Sequence, residues 1–219
     1  MEDRTLSRMN RRLPGCREPC MRPIRTILLD LGNVLIFHDN QLLFRSIGNR
    51  AGMSAEAVER LVTGDLWNAI HRGDLDSDGI RRELCRTLRL EIGSSEFVKL
   101  WNCHFRLHHE MIAEVDRLVG RVKLGALSNT NALHAEYFQA QLPILKKFDQ
   151  ILLSHELRMM KPEPAIFLEA LRRLDSAAAE TVFFDDLPAY VEAARSLGIQ
   201  AHVFRSAAEF RSELLSLGL

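Results

Sequence analysis

Apolar residues in this chain gather in short runs that end abruptly in polar ones. Ile24-Arg25-Thr26-Ile27-Leu28-Leu29 runs into Asp30 and Gly32, Val122–Leu127 into Ser128-Asn129-Thr130, Ile151–Leu153 into Ser154, and Val182–Phe184 into Asp185-Asp186. Runs of this length are buried strands that open into loops, and Ala201–Phe204 fits a fifth. Between them lie segments of helical spacing: about Ala132–Gln139, Pro164–Arg173, Ala189–Leu197, and a last helix opened by Ser206 with Glu209 in capping-box position. Pro164 suits a first helical turn and Gly198 a stop. Strand alternating with helix predicts an α/β fold: a parallel sheet covered on both faces, with right-handed crossovers. Ligands of such sheets gather beyond the carboxyl ends of the strands, where Asp30, Ser128 and Asp185 fall.

One interval breaks the alternation. Nearly a hundred residues separate Asp30 from Ser128, whereas a crossover needs about a dozen. From about Asp39 to Phe105 the spacing is helical, without a convincing strand: Leu42, Leu43 and Ile47; Val58, Leu61 and Val62; Ile80, Leu84 and Leu88; Phe97, Leu100 and Trp101. This predicts a small helical-bundle cap domain over 39–105, inserted into a core made of 23–38 and 106–219. Residues 1–22 carry six arginines, three acids and two prolines. They lack the apolar centre of a secretory signal and read as a flexible basic extension, with Met21 an alternative start.

Composition narrows the function classes. Of 219 residues, 47% are apolar and 26% charged, enough to bury a real core. Lys plus Arg equals Asp plus Glu at 29 each, so no summed field favours nucleic acid or an anionic membrane. No stretch reaches the roughly 18 apolar residues of a spanning helix. Cys16, Cys20, Cys85 and Cys103 lack the pair-of-pairs spacing of a zinc site and read as reduced thiols of a cytoplasmic protein.

The chemistry lies in the order of four strand-end elements: Asp30-Leu31-Gly32-Asn33-Val34, Ser128-Asn129-Thr130, Lys161-Pro162 and Asp185-Asp186. Together they supply a carboxylate nucleophile, a hydroxyl and amides for an oxyanion, a cation and a pair of acids. Two adjacent acids directly after Val182-Phe183-Phe184 repel each other beside a core unless a cation or hydrogen bonds offset the charge. In these motifs, over about residues 24–205, the sequence resembles the haloacid-dehalogenase superfamily, in its branch with a helical C1-type cap inserted after the first motif. Leu29-Asp30-Leu31-Gly32-Asn33-Val34, Leu127-Ser128-Asn129-Thr130-Asn131 and Phe183-Phe184-Asp185-Asp186 are similar to bacterial sugar-phosphate phosphatases of that branch, alpha-glucose-1-phosphatases among them.

The resemblance implies a Rossmann-like core and a magnesium-dependent phosphatase acting on a small phosphorylated metabolite, as a monomer or homodimer. It implies Asp30 as nucleophile and Ser128, Asn129 and Lys161 around the phosphoryl group. Mg²⁺ would be held by Asp30, the Gly32 carbonyl and Asp185, with Asp186 as direct or water-mediated partner. The chain departs from the family at Gly32, where most such phosphatases carry a general acid, and at Tyr190, where an Asn is common. His38 is one candidate replacement for the acid. Trp67 and Trp101 read as bundle core, and His71, His104, His108 and His109 show no facial pattern. Two rival readings are a metal-free dehalogenase, which the paired acids oppose, and a non-catalytic binding protein, which the complete set of motif residues opposes.

Overall fold

The computed structural model describes residues 23–219; the basic segment 1–22, with Cys16, Cys20 and Met21, lies outside the described residues. In chain order the elements are β1 (Thr26–Leu29), β2 (Ile36–His38), α1 (Asn40–Ala51), α2 (Ala55–Val62), α3 (Asp65–Arg72), α4 (Ser77–Leu88), α5 (Ser94–Trp101) and β3 (Phe105–Leu107). They continue with α6 (His109–Asp116), β4 (Lys123–Ser128), α7 (Ala132–Gln141), β5 (Gln150–Leu153), α8 (Ser154–Leu157) and α9 (Pro164–Arg173). The chain closes with β6 (Thr181–Asp185), α10 (Pro188–Ser196), β7 (Gln200–Val203) and α11 (Ala207–Ser216).

Five strands form one sheet in the order β5-β4-β1-β6-β7, and every neighbouring pair is parallel. Both faces are apolar because alternate residues of each strand serve opposite cores. Ile27 and Leu29, Leu124 and Ala126, and Val182 and Phe184 join a cluster with α6, α7 and α11. Leu28, Leu127 and Phe183 join a second cluster with α9 and α10. Each buried Leu or Phe contributes about 1.5–3 kcal/mol over its exposed state, which fixes strand register. At Gly125 the space is so tight that a Cβ would lie 2.7 Å from Leu174 and 2.8 Å from Leu28.

Helices α1 to α5 close on a third core of Leu43, Phe44, Ile47, Val58, Val62, Ile70, Ile80, Leu84, Leu88, Phe97 and Trp101, which Leu133 of α7 also joins. Asp39 caps α1 by accepting from the backbone N–H of Gln41 and Leu42, and Gly52 ends it with φ 67°. The two crossings between this bundle and the sheet are tied together. Strands β2 and β3 pair antiparallel, Ile36 with Leu107 and His38 with Phe105. The bundle also rests on the sheet end at α3 and α8, where Gly73 (φ 77°) leaves no room for a side chain: a Cβ would lie 2.0 Å from the His155 carbonyl oxygen. Cys85 and Cys103 are free thiols, and no helix among the described residues is long and apolar enough to cross a membrane.

Candidate active site

β1 lies between β4 and β6, so the chain direction across the sheet reverses at β1, and a crevice opens beyond its carboxyl end. Asp30 follows β1 directly, flanked by Ser128, the last residue of β4, and Asp185, the last residue of β6. Lys161 arrives from the loop before α9, and its buried ammonium bonds both acids: Nζ lies 2.8 Å from Asp30 Oδ1 and 2.6 Å from Asp185 Oδ2. Every residue expected from the motifs is therefore at one sheet end.

The adjacent acids are not equivalent. Asp185 is fully buried; its Oδ1 accepts from the Leu187 backbone N–H at 2.9 Å and its Oδ2 from Lys161. Asp186 faces a cavity of about 450 Å³ that Asp30, Gly32, Ser128, Asn129 and Lys161 also line. Carboxylate oxygens of Asp30, Asp185 and Asp186 lie within 4.8 Å of one another. Three acids against one ammonium leave a surplus of negative charge. Burial, resisted by Lys161 and reinforced by Asp185 and Asp186, pushes Asp30 up to about 7. Burial alone would lower the Lys161 ammonium, but Asp30 and Asp185 raise it to about 12, so it stays charged.

Two amide side chains brace the site. Asn33 sits at φ 52° in the turn after Gly32, a conformation Asn tolerates. Its Nδ2 donates to Asp186 Oδ2 at 2.9 Å, while its Oδ1 accepts from the His38 backbone N–H at 3.2 Å. The Asn129 carboxamide is committed to the Lys161 backbone, donating to the carbonyl and accepting from the N–H, both at 2.8 Å. That side chain positions Lys161. Tyr190 takes part in the same support; its hydroxyl accepts from Asn129 Nδ2 at 3.3 Å and its ring lies 5.1 Å from Lys161 Nζ.

His38 stands over Gly32. A Cβ on that glycine would come 3.2 Å from the His38 Cδ2 and Nε2. An amide NH₂ only donates, so His38 Nε2 accepts from Asn33 Nδ2 at 3.2 Å. Burial lowers the His38 pKa against the pull of Asp186, which favours the uncharged ring.

The histidines of the inserted segment correct the sequence reading. His71 and His104 line the same cavity, joined by His134 of α7; Trp67 packs partly buried against the bundle core, near Phe44 and Trp101, and also forms a wall of the cavity, whereas Trp101 is wholly buried. His108 is packed below, its Nδ1 2.9 Å from the Val34 carbonyl oxygen. Sequence reasoning missed Asn33, Asn68, Thr130 and His134; of these only Asn33 carried a local sign, an Asn directly after Gly in a turn.

Residues 24–198 match the family described as haloacid dehalogenase-like hydrolase. The chain belongs to the haloacid dehalogenase-like hydrolases. Within that family it is 23% identical over 201 residues to D-ribitol-5-phosphate phosphatase of Bacteroides thetaiotaomicron, covering 87% of this chain and 97% of the relative. Its fold is that of a haloacid dehalogenase family enzyme of the same organism crystallised with magnesium and inorganic phosphate, with a TM-score of 0.77, 23% identity, and coverage of 83% of this chain and 94% of that one. It also shares its fold, more distantly, with L-2-haloacid dehalogenase from Xanthobacter autotrophicus, with a TM-score of 0.58, 18% identity, and coverage of 88% of this chain and 83% of that chain.

Proposed function

We propose that this hydrolase is a magnesium-dependent phosphatase that cleaves a small phosphate monoester, a sugar or alditol phosphate, through an aspartyl phosphate on Asp30. The observation that carries the reading is the cluster of Asp30, Asp185 and Asp186 around a single buried Lys161 at the floor of the cavity. Such a surplus of hard oxygen donors fits a divalent cation. Asp30, the Gly32 carbonyl, Asp185 and Asp186 would hold Mg²⁺, whose charge lets an anionic carboxylate meet an anionic phosphoryl group. Two of the relatives support the same reading, one named as a D-ribitol-5-phosphate phosphatase and the other crystallised with magnesium and inorganic phosphate.

The residues divide the work between two half-reactions. Asp30 attacks phosphorus, the bond to the ester oxygen breaks, and the leaving alkoxide takes a proton from solvent water; a water molecule then attacks the same phosphorus and frees Asp30. Lys161 holds Asp30 aligned and stays positive beside the phosphoryl oxygens, and the Ser128 hydroxyl with the Asn129 backbone takes up charge as it develops. His38, uncharged and against Gly32, would receive the proton that water must lose in the second half, its Nε2 giving up the bond from Asn33 Nδ2 to do so. Because Gly32 offers no acid for the first half, esters with good leaving groups, such as p-nitrophenyl phosphate or α-glucose 1-phosphate, are expected to turn over faster than primary alkyl esters such as an alditol phosphate. Helices α1 to α5 act as a cap that shapes the leaving-group side, and we place the enzyme in the cytoplasm, with no nucleic acid or membrane partner.

Similarity to a 2-haloacid dehalogenase keeps one rival reading in view, in which Asp30 attacks carbon. Three clustered acids have no use in that reaction. Assay of the purified chain decides: p-nitrophenyl phosphate turned over with Mg²⁺ and not with EDTA supports the phosphatase, whereas turnover of 2-haloacids without metal overturns it.

A further inference from the structure

The cavity has two chemically distinct ends. Its charged lining residues, Asp30, Lys161 and Asp186, all stand at the phosphoryl end. The α3 side is lined by Trp67, Asn68 and His71, with no lysine, arginine or carboxylate among them. At about 450 Å³ the space is ample for a phosphate ester of several carbons.

His71 is the most constrained of these groups. Its ring lies against Trp67, with centroids 4.4 Å apart, and is almost wholly buried. Its Nδ1 is 2.8 Å from the Trp67 carbonyl oxygen. A carbonyl can only accept, so Nδ1 carries the ring proton and Nε2 holds a lone pair. Burial, only partly offset by that bond, lowers the His71 pKa to about 4, so the ring is uncharged near neutral pH. The backbone around it is fixed as well: the His71 carbonyl accepts from the buried Ser154 hydroxyl at 2.7 Å, anchoring α3 to the end of β5. A buried acceptor held in one tautomer beside an indole face and the Asn68 carboxamide matches a chain of hydroxyl-bearing carbons. Hydroxyls donate to the ring nitrogen and exchange hydrogen bonds with the amide, while C–H faces lie on the indole.

We infer that the α3 end of the cavity is a subsite for an uncharged, polyhydroxylated leaving group, with His71 the specificity-determining acceptor, and that it rejects leaving groups carrying a second negative charge. The inference rests on the phosphatase reading above. A carboxylate there would meet a lone pair and no cation, and its desolvation would go uncompensated. An acceptor left without its hydroxyl donor is a comparable loss, which is how a buried polar site discriminates.

The test is a matched pair of esters given to the wild-type chain with Mg²⁺: D-ribitol 5-phosphate and 5-phospho-D-ribonate, which differ only in a carboxylate at the far end, with p-nitrophenyl phosphate as reference. The expected kcat/KM for the alditol exceeds that for the acid by about tenfold or more. An acid ester hydrolysed as well as the alditol overturns the inference while leaving the phosphatase intact. No turnover of any of the three removes the phosphatase reading itself, and the subsite with it. In folded His71→Phe, the ratio of ribitol 5-phosphate to p-nitrophenyl phosphate turnover is expected to fall about tenfold; His71→Gln, which returns an acceptor near the place of Nε2, recovers part of it. A ratio unmoved by His71→Phe contradicts the assignment.

Discussion

At the residue scale, the chemistry was legible wherever one side chain carried it. Asp30, Ser128, Asp185 and Asp186 were expected at strand ends and are found there, and Lys161, expected at a strand end as well, reaches them from the loop between α8 and α9. The partner of each was less visible. The two acids after β6 pointed to a cation or hydrogen bonds, and the structure supplies both: Lys161 on Asp185, and Asn33 on Asp186. Asn33 was given no role, and the bond from the Asn129 side chain to the Lys161 backbone was not foreseen, because an Asn in a loop reads as a turn former until the element it bonds across the site is known. His38 is the residue whose role the geometry sharpens most. It takes the space that a side chain on Gly32 would enter, and it is the proton acceptor nearest that glycine in the mechanism above. His38→Ala should lower steady-state kcat by about tenfold or more while hydrolysis of the aspartyl phosphate becomes the slower half. An unchanged rate would remove His38 from the mechanism.

At the element scale, the core strands were legible because a strand buried on both faces has to be apolar throughout, and the observed bounds lie close to the expected ones. Ser206 caps α11 as the spacing predicted, accepting from the Glu209 N–H. The failures have one cause in common: their signal is not local. Strands β2 and β3 have three residues each and exist only through pairing across the insertion, Ile36 with Leu107. Helix α3 is only about two turns long and serves two surfaces, with Leu66 and Ile70 on the third core and Asn68 and His71 on the cavity, so its spacing alone does not tell one from the other. Trp67 packs on the bundle core as expected, but its second role as a wall of the cavity was not legible: an aromatic at helical spacing is as apparent when it faces a cavity as when it faces a core.

At the scale of the molecule, fold class and the helical insertion follow from the order of elements, whereas the convergence of His38, His71, His104 and His134 on one cavity does not. They come from β2, α3, the α5–β3 connection and α7, and only the folded chain brings them together. Their shared environment has a consequence for stability. Burial pushes His71 and His104 down to about 4 and lowers His134 as well. The unfolded chain, with ordinary histidines near 6.5, takes up these protons first as pH falls. Stability contributed by the neutral rings is therefore complete above about pH 6.5 and is lost progressively from there down to about 4. At about pH 5 the loss amounts to about 2 kcal/mol for each of His71 and His104. Urea unfolding should show a lower midpoint at about pH 5 than at about pH 7.5 with a similar slope; equal midpoints would mean these rings are not held neutral.

The account turns on Asp30 forming a bond to phosphorus. Mixing the chain with p-nitrophenyl phosphate and Mg²⁺, quenching during turnover, and reducing with borohydride should convert the phosphorylated carboxyl to an alcohol, found by peptide mass spectrometry as homoserine at position 30. Asp30→Asn should show neither the product nor turnover. Magnesium-dependent hydrolysis that persists in Asp30→Asn, or homoserine at Asp185 or Asp186 in place of Asp30, would contradict it.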